Sequence, residues 1–118
     1  MSVHYPVTHR RYMHYRKKSD FVVIKYGAEW CGPCKKVIPV MEELARNYPS
    51  VYFLDVDVDN GEISEHEDLK DVRTIPHFKF FVNGEKKREI VGVDLDRLNR
   101  YVERYSKLES NEDNLDRP

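Results

Sequence analysis

Cys31 and Cys34 stand three apart in Trp30-Cys31-Gly32-Pro33-Cys34-Lys35 and are the only two cysteines of the chain. Two thiols at that spacing suit three kinds of chemistry. A structural zinc site takes four ligands, so this pair needs two more. No second C-x-x-C exists, and the histidines fall as His4, His9 and His14 in the first segment, then His66 and His77 far apart. A purely structural disulfide across two intervening residues closes so short a loop that it constrains little of the unfolded chain. The strongest reading is a redox dithiol, in which the sulfurs join and part reversibly.

Such a dithiol has to be held by something. Before it runs Phe21-Val22-Val23-Ile24-Lys25-Tyr26, short, apolar and rich in β-branched residues, which predicts a buried strand. After it Val37, Met41, Leu44 and Tyr48 recur at spacings of four, three and four, which predicts an amphipathic helix. The cysteines therefore sit at a strand-to-helix turn with Cys31 near the helix N-terminus. Unpaired N–H groups and the positive dipole end at that place favour a thiolate. Lys35 and Lys36 add positive potential. Pro39 removes one helical N–H and predicts a kink, which lets the first turn take its own angle.

The remaining chain reads as support. Ser2–Val7 is an expected short strand, and Thr8 an expected N-cap for a helix over His9–Lys17. Residues 1–18 hold Arg10, Arg11, Arg16, Lys17 and Lys18 and no acid, so a basic arm for phosphate or anionic lipid stands beside the plainer reading of a first strand and helix. Residues 51–59 alternate, with Tyr52, Leu54, Val56 and Val58 on one face and Phe53, Asp55, Asp57 and Asp59 on the other, predicting a strand parallel to the first. A short helix is expected over Gly61–Leu69, capped by Asn60. Phe78–Val82 and Lys86–Val91 flank Asn83-Gly84, a type I′ hairpin pair. The charged run from Glu85 to Glu89 suits an edge strand. Asp94 is expected to cap a last helix with Leu95, Leu98, Val102 and Tyr105 on its buried stripe.

Composition narrows the function. A length of 118 residues with 40% hydrophobic content suits one domain, and a net charge of −1 argues against nucleic acid as a partner. No apolar run approaches the roughly 20 residues of a membrane span, and the N-terminus lacks a secretory h-region. Two cysteines in one C-x-x-C fit a reducing compartment, so the chain is read as cytoplasmic.

Ala28-Glu29-Trp30-Cys31-Gly32-Pro33-Cys34-Lys35 resembles the active-site signature of the thioredoxin family. Thr74-Ile75-Pro76 before an apolar strand, then Asn83-Gly84, then Val91-Gly92, follow in that family's order, and the resemblance spans about Phe21 to Tyr105. It implies a thioredoxin-like α/β fold, a central mixed sheet flanked by helices on both faces, over residues 1–107, with a polar acidic tail at 108–118. The implied function is protein-disulfide reduction by dithiol–disulfide exchange, with Cys31 as nucleophile and Cys34 as resolving cysteine. No cofactor is implied beyond a reversible Cys31–Cys34 disulfide, and no metal. Implied partners are disulfide-bearing proteins and a thioredoxin-reductase-type recycling enzyme, the chain itself being a monomer. A nucleophile pKa near 7 and a potential of about −270 mV belong to the class as reference values. The resemblance also makes Ile75–Pro76 cis, although only about 5–6% of X–Pro bonds in folded proteins are. Trp30, Gly32, Pro33, Ile75, Pro76, Gly92 and Val93 then form an apolar docking face, the plainer reading of Trp30 and Ile75 being core packing.

Four positions depart from the family pattern. Lys25 stands where a buried aspartate is usual, and Asp55 where many members have lysine. A lone buried charge costs several kcal/mol, so the two are expected to face each other beneath Cys34, and either is a candidate for proton handling there; the plainer reading lets Lys25 snorkel to the surface. Gly27 replaces a bulkier residue. His77 follows Pro76 where threonine is usual, as a tuner of thiol acidity or simply a strand side chain. Two rival functions remain: a binding module using the Trp30, Ile75 and Pro76 face with turnover incidental, and an oxidant or isomerase.

Overall fold

Phe21–Gly27 forms β1, buried along its whole length in a computed structural model that describes residues 3–18 and 20–108. An apolar run without alternation needs cover on both faces, which places it inside a sheet. Tyr52–Asp57 (β2) pairs with it in parallel and His77–Val82 (β3) antiparallel, and Glu85–Val91 (β4) lies outside β3. The order is β2-β1-β3-β4, so the charged strand is an edge, as expected. The helices are His9–Arg16 (α1), Gly32–Asn47 (α2) and Leu95–Leu108 (α3). On one sheet face Phe21, Val23, Phe53 and Phe80 pack with Val37, Met41 and Leu44 of α2 and with Leu98, Val102 and Tyr105 of α3. On the other, Val22, Ile24, Tyr26, Leu54 and Phe81 pack with Tyr12 of α1 and with Ile63 and Leu69. The sequence-based architecture holds: a mixed sheet with helices on both faces.

Local chemistry sets the boundaries. The Thr8 side chain accepts the Arg11 N–H at 3.1 Å, and Asp94 Oδ1 accepts the Arg97 N–H at 3.0 Å, each capping its helix. Asn83 at φ 54° and Gly84 at φ 77° make the turn between β3 and β4, the left-handed pair a type I′ hairpin requires.

Several expectations are corrected. The first strand reduces to one parallel bridge, His4 opposite Leu54, with His4 N–H donating to the Phe53 carbonyl at 2.8 Å; Pro6, two residues on, has no N–H to extend it. The helix over Gly61–Leu69 is replaced by turns ending in a 3-10 turn, Glu67–Leu69. His66 Nδ1 accepts the Asp68 N–H at 2.9 Å, a local bond that competes with helix, and the three-residue spacing of Ile63, His66 and Leu69 matches the tighter turn. Asn60 therefore caps no helix; its Oδ1 accepts the Glu62 N–H at 2.9 Å in a local turn, and His66 is the N-cap of the 3-10 turn. Leu95 is exposed rather than buried, because it opens the helix just past its cap. The expected tail lies, from residue 109 on, outside the described residues.

The basic first segment has a structural duty. Arg16 Nε donates to Asp68 Oδ2 at 2.8 Å and its Nη1 to the Gly84 carbonyl at 2.6 Å, while the Tyr12 hydroxyl donates to Asp68 at 2.6 Å and lies 2.6 Å from that of Tyr26. This network ties α1 to the sheet, the hairpin and the 60s turns at once. Burial pushes the Asp68 carboxyl up, but the hydrogen bonds from Arg16 and Tyr12 outweigh it and hold it below the usual range. A depressed carboxyl contributes stability that is fully present above the ordinary value near 3.8 and is lost as pH falls through the folded value. Acid titration of stability should therefore fall below about pH 4. Arg16→Met should cost about 2 kcal/mol at neutral pH and flatten that acid limb, both read from denaturant midpoints.

Candidate active site

The end of β1 delivers the chain through Ala28-Glu29-Trp30 to Cys31, which is the N-cap of α2. Gly32 and Pro33 open the helix, Pro33 at a position where its missing N–H costs nothing. Cys31 and Cys34 are joined as a disulfide with a Cα separation of 5.3 Å, and neither is free. The Cys34 N–H points at Cys31 Sγ at 3.2 Å, so the capping acceptor of this helix is a sulfur. In the oxidised form Cys31 is 5% exposed and Cys34 1%. The expected order of exposure holds, but Cys31 is more sheltered than an exposed nucleophile was expected to be. Ala28, Val58 and Ile75 pack around the sulfurs and explain the shelter.

Ile75–Pro76 is cis, as the family resemblance implies. The Ile75 carbonyl oxygen lies 3.9 Å from Cys31 Sγ. The Pro76 carbonyl accepts the Gly92 N–H at 2.8 Å, which brings the end of β4 beside it, and Gly92 holds a φ of 87° that favours glycine. Trp30 is 70% exposed, which rules out core packing for it. Its Nε1–H donates to Asp59 Oδ2 at 2.8 Å, fixing the ring over a cleft of about 280 Å³ that Trp30, Val58 and Ile75 share. Val93 is half exposed, and Gly32 and Pro33 are exposed.

Beneath the disulfide, on the α2 side of the sheet, Lys25 Nζ donates to Asp55 Oδ2 at 3.0 Å across paired strands. Lys25 is 2% exposed, so it does not snorkel. Gly27 separates this pair from the sulfur by almost nothing. A Cβ there would lie 3.0 Å from Cys34 Sγ and 3.1 Å from Lys25 Cε. His77 sits on the opposite sheet face, its Nε2 3.2 Å from Glu89 Oε1 and its ring near Tyr26, so it is a strand side chain and not a neighbour of the thiols.

Sequence reasoning missed two supports. Asp59, read only as one polar position of a strand, orients Trp30; an acid just past an alternating strand gives no hint of an indole partner. Lys79 is buried on β3, donating to the Asp68 carbonyl and to Asp71 Oδ1, each at 2.6 Å. It stands in an apolar run, and that interruption was the available signal. Among the described residues no cluster of three His, Cys, Asp or Glu is placed to hold a metal, and no helix is long and apolar enough to cross a membrane.

A dithiol capping a helix beside a cis-proline loop on a mixed sheet defines a thiol–disulfide exchange protein. The comparisons with known proteins agree. Residues 4–104 match the family model described as Thioredoxin. Thioredoxin 1 of Plasmodium falciparum is 34% identical over 89 residues, covering 75% of this chain and 84% of that one. Thioredoxin O2, mitochondrial, of Arabidopsis thaliana is 42% identical over 85 residues, 72% of this chain and 54% of that one. The structure of thioredoxin O1 from Arabidopsis thaliana in the oxidised state superposes with a TM-score of 0.82 at 32% identity, covering 90% of this chain and 99% of that one. The chain belongs to the thioredoxin family. It is a thiol–disulfide oxidoreductase whose redox group is the Cys31–Cys34 disulfide, with no cofactor beyond it. Members of the family generally reduce disulfide-bearing proteins and are recycled by a thioredoxin reductase.

The crowding at Gly27 yields a direct test. Gly27→Ala should destabilise the oxidised protein by about 1–3 kcal/mol through overpacking against Cys34. Gly32→Ala, where a Cβ meets nothing within 4 Å, should change stability by less than about 0.5 kcal/mol. Equal losses in urea denaturation would count against the packing argument.

Proposed function

We propose that Cys31 is the attacking thiol, Cys34 the resolving thiol, and reduction of protein disulfides the working direction. The observation that carries this reading is the Cys34 N–H aimed at Cys31 Sγ at the α2 N-terminus. When the pair is reduced, that donor and the helix dipole stabilise negative charge on Cys31 and not on the deeper sulfur. The Cys31 thiolate attacks one sulfur of a substrate disulfide, and the other substrate sulfur leaves with the electron pair and takes a proton. The Cys34 thiolate then attacks Cys31 Sγ, closing the disulfide and releasing the second substrate thiol.

The substrate segment docks along Trp30, Gly32, Pro33, Ile75, Pro76, Gly92 and Val93. Supporting this, Trp30, next to Cys31 in the chain, and Val93, next to Gly92, are exposed apolar surface, and Ile75 packs against the sulfurs. The domain is taken as residues 1–107, working as a monomer, in keeping with its charged edge strand. The compartment is taken as the cytoplasm on the strength of cysteine usage. Two Arabidopsis relatives are named mitochondrial, which makes the mitochondrion the competing site.

Insulin reduction with single variants tests the assignment. Cys31→Ser should abolish turnover and form no adduct. Cys34→Ser should abolish turnover but trap a mixed disulfide on Cys31, visible by mass spectrometry. An adduct on Cys34 in the Cys31→Ser protein would reverse the roles. Partner function surviving loss of both thiols would favour the binding-module reading.

A further inference from the structure

Nothing in dithiol exchange requires a buried ion pair, yet Lys25 and Asp55 form one directly under the resolving sulfur. Taking an ammonium and a carboxylate out of water is expensive, and an apolar pair of similar volume is often as stable. The placement is specific. Lys25 Cε and Cys34 Sγ both lie about 3 Å from the Cβ position that Gly27 leaves empty, so they are no more than about 6 Å apart, and no Asp55 atom is among the nearest three there. The Lys25 side chain is thus the one that borders the gap facing the sulfur, its ammonium one bond beyond Cε.

We propose that Lys25 is a positioning residue for Cys34: admitted by the missing side chain at Gly27, its charge holds the reduced Cys34 as a thiolate ready to attack Cys31. The inference rests on Cys34 being the resolving cysteine. A nearby opposite charge favours the ionised form of a thiol, more strongly where water is scarce. Asp55 moderates the effect, since at 3.0 Å it neutralises part of the ammonium.

A cavity of about 340 Å³ reaches both Cys34 and the ion pair. It is large enough for several waters. It shares no lining residue with the cleft between Trp30 and Ile75, so it is a separate opening from that face. The proton that Cys34 loses leaves by this route. Besides Lys25, the ionisable groups around it are Asp55 and Asp57 from β2, Glu29 before α2, Lys35 on α2 and Tyr5 from the first segment. Glu29 and Lys35 are exposed and of opposite sign, so solvent screens them. The Tyr5 hydroxyl is pushed up by burial and then by Asp55 and stays neutral. Asp57 accepts the Asp59 N–H at 2.8 Å and is exposed. Lys25 is the buried cation among them.

In the resolving step the Cys34–Cys31 bond forms as the bond from Cys31 to the partner sulfur breaks. The electron pair leaves on the partner sulfur, which takes a proton from water.

The test uses full-length Cys31→Ser protein, reduced, with Cys34 thiolate followed by ultraviolet absorbance as pH rises. Lys25→Met should raise the midpoint by about one pH unit or more, a tenfold or greater loss of thiolate at fixed pH. Asp55→Asn should lower it. Lys25→Met combined with Asp55→Asn should fall between the parent and Lys25→Met, and by leaving no unpaired carboxylate it keeps the measurement readable if the single variant unfolds. The same order should appear in the pH profile of mixed-disulfide release when Cys31 is restored. A double variant whose midpoint matches the parent overturns the proposal. That failure is separate from failure of the role assignment, which shows instead as substrate adducts forming on Cys34.

Discussion

The structure turns on how closely the end of β1 and the first turn of α2 approach each other. Cys34 lies so close to Gly27 that an added carbon there would sit 3.0 Å from its sulfur and force the neighbours to give way. That contact sets the depth of the helix N-terminus, and with it the positions of both sulfurs. Interiors are close-packed and resist small displacements, so a fixed approach here becomes a fixed geometry at the sulfurs. The cis-proline loop and the end of β4 are then brought to the same place through one hydrogen bond, Gly92 N–H to the Pro76 carbonyl.

Three buried or half-buried charge pairs among the described residues tie elements distant in sequence. Arg16 and Asp68 join α1 to the 60s turns, Lys79 joins β3 to the same turns, and Lys25 with Asp55 joins β1 to β2. The first two lie on the α1 face of the sheet and are structural. The third lies on the α2 face, where the dithiol is. The two faces therefore differ in kind: one is anchored by a polar network, while the other is an apolar core with the Lys25–Asp55 pair set into it by the redox site.

Trp30 shows how a functional surface is kept from collapsing. A large apolar ring at 70% exposure gains from burial, and its Nε1–H bond to Asp59 holds it in place at the edge of the cleft. The edge strand β4 does the opposite work. Its charges form pairs such as Lys87 with Glu85 and Lys86 with Glu89, worth little in stability but unfavourable to pairing with another strand.

The dithiol, the strand before it, the helix after it, the Asn-Gly turn and the helix caps were all legible in residue order, because each follows from local chemistry: periodicity, capping oxygens, a positive-φ pair, two thiols one turn apart. The pairing of Lys25 with Asp55 was legible as well, since two charges in apolar strands have few ways to be satisfied. Residue order alone did not decide the fate of the 60s segment, where a His66 side chain diverted the backbone from a helix. Nor did it decide the reduced first strand, the shelter of Cys31, the partner of Trp30 or the side of the sheet on which His77 falls. Those depend on which surfaces meet once the sheet is closed on both faces, and contacts between residues far apart in the chain leave no periodic trace in it.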